Sequence, residues 1–71
     1  MQKIDPFDID FARRCIEEAK TYILSALFHM VRGEIEEATQ RFNEALIELG
    51  HARDLLKEVY EKLMKDEIGG E

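Results

Sequence analysis

The chain has 71 residues, 16 of them acidic and 10 basic, for a net charge of −6. That length allows one small domain with a marginal core, and the negative charge disfavours nucleic acid, whose phosphates repel such a surface. A single cysteine, Cys15, excludes an internal disulfide, and no apolar run reaches the roughly 20 residues of a spanning helix.

The first helix is announced by Asp5 as N-cap, Pro6 at the first helical position and Asp8 where a capping-box acid would sit. Ile4 and Ile9 occupy the two positions of a hydrophobic staple. Apolar residues then recur at Ile9, Ala12, Ile16, Ala19, Ile23, Ala26 and Met30, alternating spacings of three and four, as in a heptad seam. Arg32 and Gly33 supply a basic last turn and a C-terminal glycine. The spacing predicts helix one over about 6–32 and a turn at 33–34.

A second seam runs Ile35, Ala38, Phe42, Ala45, Leu49, Ala52, Leu56, Val59, Leu63. Gly50 could end a helix and give a three-helix chain, but the seam crosses it in phase. One helix over about 35–67 is therefore expected, with a frayed tail over 68–71. The two seams mirror each other about the turn. Ala26 pairs with Ala38, Ala19 with Ala45 and Ala12 with Ala52, the residue numbers always summing to 64. The large residues pair likewise, so small and large layers should alternate within the hairpin.

Apolar residues remain outside that pairing. Leu24, Leu27, Phe28, Val31, Leu46 and Ile47 lie off the seam. Val59, Tyr60, Leu63 and Met64 extend past helix one unless residues 1–4 fold over them. Such a surplus on a small protein marks an interface, and Gly50 would let another helix come close. The fold class expected is all-α, a long antiparallel two-helix hairpin dimerising into a four-helix bundle. Its expected interface residues are Leu24, Leu27, Phe28, Val31, Leu46, Gly50, Tyr60 and Met64. A partner helix from another protein would use the same groove.

Site chemistry is sparse. Cys15, Glu48 and His51 could approach one another across the hairpin, with Glu18 nearby, and Glu48 and His51 have the Glu-x-x-His spacing of di-iron bundles. Those sites need inward carboxylates, and here the inward positions are apolar, so no metal or cofactor is assigned. His29 reads as a boundary residue at the hairpin's end, and Tyr22 and Tyr60 as rim aromatics. The acids, Glu17, Glu34 and Glu58 among them, form a solvated face with basic neighbours such as Arg13 beside Glu17 and Lys62 beside Glu58. No phosphate loop, nucleophile–base pair or basic-aromatic interleaving is present, so the reading is non-enzymatic. The opening residues lack a signal-peptide pattern, which predicts a soluble cytoplasmic protein. Asparagine occurs once and glutamine twice against abundant Glu, Lys and Arg, a balance shared with thermophile proteins.

Tyr22, Ala26, Gly33, Ala38, Phe42, Ala45 and Leu46 fall where a tetratricopeptide repeat has its aromatic, small, turn-glycine and leucine positions. The stretch 19–50 resembles one such unit, which implies a hairpin that stacks on others and binds peptides. The turn from Arg32 to Ala38, Arg-Gly-Glu-x-Glu-Glu-Ala, is similar to one in the opening helices of translin-type proteins, a family associated with RNA or single-stranded DNA. The architecture also resembles that of small dimeric hairpin regulators that bind RNA loops. Two function classes follow. The first is a homodimeric interaction or scaffold module. The second is a small nucleic-acid-binding regulator using Arg13, Arg14, Lys20, Arg41 and Arg53.

Overall fold

The structure is a computed structural model that describes residues 4–69, with side-chain surroundings for residues 4–65. Two helices, α1 (Pro6–Val31) and α2 (Ile35–Gly69), pack against each other, and no strand occurs among the described residues. At the start of α1 the Phe7 N–H donates to Asp5 Oδ1 at 2.9 Å, which satisfies one of the four donors a helix start leaves open. Pro6 costs nothing there, since its missing N–H belongs to the same set.

The turn is built by Gly33. Its φ of +79° lies in the left-handed region that favours glycine. The Gly33 N–H donates to Met30 O at 3.0 Å and the Glu34 N–H to His29 O at 2.9 Å. This pair of bonds closes a helix end in a Schellman motif. The Glu34 carboxylate then clips the turn from outside, with Oε1 2.7 Å from His29 Nδ1 and Oε2 3.4 Å from Arg32 Nε. The Arg32 guanidinium lies 5.2 Å from the centre of the Phe28 ring. The Ala38 N–H donates to Glu34 O at 3.0 Å and starts α2.

α1 stops one residue before the expected end, because Arg32 has already left helical geometry at ψ 0° as the C-cap. α2 runs unbroken through Gly50 and on to Gly69, so Ile68 and Gly69 of the expected tail are helical, while residues 70 and 71 lie outside the described residues. The chain is a rod of 58 × 18 × 12 Å with a radius of gyration of 16.6 Å; a compact domain of this length would have about 11 Å.

The helices meet along the alanines. Among the described residues Cys15, Ala19, Ala26, Ala38, Ala45 and Ala52 are the buried apolar ones, with Ala19 at 1% and Ala45 at 0% exposure. The expected layers of large residues inside the hairpin are not found. Ile9, Ile16, Ile23, Met30, Ile35, Phe42, Leu49 and Leu56 are 38–60% exposed. The physical reason is the alanines themselves. Methyl groups facing each other let the two backbones come close, and no room is left between the axes for a leucine or phenylalanine. The larger side chains splay out on one side instead.

At the open end α2 overshoots α1, being 35 residues long against 26. Ile4 covers part of the overhang, sharing a cleft with Val59 and Leu63. Tyr60 and Met64 stay exposed, and Met1 to Lys3 lie outside the described residues.

A β-carbon added at Gly33 or Gly50 would meet no atom within 4 Å, so only backbone effects should govern substitution there. Gly33→Ala should lower stability by about 1 kcal/mol through its positive φ. Gly50→Ala should raise it by about 0.5–1 kcal/mol through helix propensity. Urea denaturation at one fixed protein concentration checks both signs; a destabilising Gly50→Ala would mean that another chain approaches at that point.

Candidate functional site

The dominant surface feature follows from the register. In each helix a large apolar residue comes four positions after an alanine: Ile16, Ile23 and Met30 on α1, Phe42, Leu49 and Leu56 on α2. Four residues turn a helix about 40° past the starting direction. Because the helices are antiparallel, that rotation carries both rows to the same side of the hairpin. The result is an apolar face along the whole rod. Near the open end it deepens into a groove of about 350 Å³ among Ile9, Ile16, Leu56 and Val59.

Seven of the expected interface residues, Leu24, Leu27, Phe28, Val31, Leu46, Tyr60 and Met64, are exposed, and Gly50 is half-buried. Leu27, Leu46 and Tyr60 come one position after Ala26, Ala45 and Val59 and so border the apolar face. Leu24, Phe28, Val31, Gly50 and Met64 lie further round, on the backs of the helices. Sequence reasoning missed that the large half of each seam is itself surface. The spacing from alanine to large residue is always four in chain order, which gives the common flank of the large side chains; their exposure depends on how closely the two backbones approach.

The opposite flank is polar. Cys15 of α1 follows Ala12 by three positions, and Glu48 of α2 follows Ala45 by three, so both turn to the side away from the apolar face. One ligand atom each of Cys15, Glu48 and His51 lie within 4.8 Å of one another, and His51 Nδ1 is 3.7 Å from Glu48 Oε1. The three-residue set considered from the sequence is therefore brought together. Burial pushes the Cys15 thiol above its ordinary 9.0, and the neighbouring Glu48 carboxylate adds to the shift by disfavouring a second negative charge.

The candidate basic set is scattered and partly occupied. Arg13 Nη2 lies 2.7 Å from Asp10 Oδ1, reaching back rather than forward to Glu17, and Arg14 Nη2 lies 3.5 Å from Asp10 Oδ2. The Arg13 hydrogen bond holds the Asp10 carboxyl below its usual 3.8. Arg53 lies 3.2 Å from Asp54. By register Arg13, Lys20 and Arg53 border the apolar face, while Arg41 lies on the polar flank. No described helix is long and apolar enough to cross a membrane. No protein-family model matches the chain, and no curated protein or solved structure is significantly similar to it.

The buried thiol generates a pH dependence. Below the ordinary thiol pKa of 9.0 the group is protonated in both states and its contribution to stability is complete. Above it the unfolded chain ionises first, and stability falls until the folded-state value is passed. Unfolding free energy measured from pH 8 to 11 should therefore decline in the native sequence, and the decline should be shallower in Cys15→Ala. An equal slope in both would place the cause elsewhere.

Proposed function

We propose that this chain is a non-enzymatic helical hairpin that joins a second copy of itself, apolar face to apolar face, in a four-helix bundle serving as an interaction or scaffold module. The observation that carries this reading is the core itself. In a protein with 45% hydrophobic residues, the buried apolar residues among the described ones are five alanines and one cysteine. The accessible surface is 5977 Å², whereas a compact monomer of 8.3 kDa exposes about 4,600 Å². The excess is of the same order as the roughly 800 Å² that each partner buries in a standard interface.

A second copy suits this face better than a lone partner helix. Both helices contribute to it, with one repeat over the full rod, and a twofold axis sets a surface against its own duplicate. Charge is segregated accordingly. Glu37, Glu44 and Glu58 fall one position before Ala38, Ala45 and Val59, on the side away from the apolar residues. The edge of the face carries Arg13, Lys20 and Arg53, with Glu17 and Glu36 beyond them. Two copies can therefore approach without setting their most acidic flanks together.

Sedimentation equilibrium at micromolar concentration tests the proposal. The native chain should have twice its 8.3 kDa mass, and Phe42→Glu or Leu27→Glu should return it to the single mass. Both side chains are about half exposed in the hairpin, so the charge should be tolerated within one chain. Apparent stability should fall with dissociation and rise with protein concentration in the native chain alone. A native chain that keeps the single mass at high micromolar concentration contradicts the proposal.

A further inference from the structure

The geometry points to a binding site for a zinc-class divalent cation on the polar flank, formed by Cys15 of α1 with Glu48 and His51 of α2. Three features support it. First, the donors are a thiolate sulfur, a carboxylate oxygen and an imidazole nitrogen, the set that suits zinc and its neighbours and not magnesium or calcium. Second, they already converge. All three donor atoms lie within 4.8 Å of one another, and around a tetrahedral zinc with ordinary bond lengths such donors stand about 3.3–3.5 Å apart. The adjustment needed is about 1 Å, and the His51 side chain, 55% exposed, can turn to make it.

Third, the site spans two elements. Cys15 is fixed by its burial at the helix contact, and Glu48 and His51 stand one turn apart on one side of α2. Glu18 lines a shallow cleft with Cys15 and Glu48, and the fourth position is left to water or to that carboxylate. Arg14, the cation that also lines the cleft, is held 3.5 Å from Asp10 Oδ2. Binding displaces the thiol proton to solvent; the bound ion then offsets the charge of the thiolate beside the Glu48 carboxylate, and it ties α1 to α2 midway along the rod. Because this flank is opposite the apolar face, occupancy does not depend on pairing with a second copy.

The test uses the full chain freed of metal, titrated with Co²⁺ and then with Zn²⁺. The expected result is one ion per chain, a thiolate-to-cobalt charge-transfer band in the near ultraviolet, and displacement of that band by zinc. Cys15→Ser should abolish the band. His51→Gln, a change at an exposed residue that leaves the helix contact intact, should weaken zinc affinity by more than the roughly 10–100-fold lost when only a supporting outer partner is removed. Zinc should raise the melting temperature of the native chain and leave that of Cys15→Ser unchanged. A folded native chain without the band at micromolar cobalt overturns the inference. So does a zinc affinity unchanged by both substitutions, which would assign the binding to surface carboxylates at large.

Discussion

Everything in this molecule depends on how closely two helices approach when the residues between them are alanines. Ala19, Ala26, Ala38, Ala45 and Ala52 leave only methyl groups at the contact. The helices can then pack tightly, but each buried methyl removes little apolar area from water. A contact made this way specifies register well and supplies modest stability. It also decides where the large side chains go. With no space between the axes, Ile23, Phe42 and Leu49 are turned out to one flank, where they remain one-third to one-half exposed.

On the proposed reading, the hairpin is half of a core. In a bundle of four helices the small residues would sit within each pair and the large ones between the pairs, so that both kinds of layer are filled. The turn is made to suit such a unit. Gly33 and the Glu34 carboxylate fix the exit from α1 and the entry into α2 over three residues, which holds the two apolar rows in one plane. Charges are sorted with the same logic, since the glutamates preceding the alanines face away from those rows. The polar flank carries Cys15, Glu48 and His51 as a separate cluster.

The helical class and the pairing of two helices were legible in the sequence, because the three-four spacing and the mirrored alanines admit few other arrangements. The fate of the large residues was not. A seam of alternating small and large positions reads the same whether both kinds are buried or only the small ones, and the difference rests on a backbone separation that spacing does not express. The polar cluster was legible as a set. Glu48 and His51 share a helix face by their spacing of three, and the sum rule brings Cys15 opposite. Its closeness and the burial of the thiol needed coordinates. Individual ion pairs were least legible: Arg13 had acids available at three positions before and four after, and it takes Asp10.

The most direct test of the account is an isotope-filtered nuclear Overhauser measurement on a mixture of labelled and unlabelled chains. Contacts between chains should appear at the methyl groups of Ile23 and Leu49, while the methyls of Ala19 and Ala45 show contacts only within one chain. Contacts between chains at Ala19 and Ala45, or none at Ile23 and Leu49 under concentrated conditions, would contradict the claim that close alanine packing leaves a large-residue face for a second copy to cover.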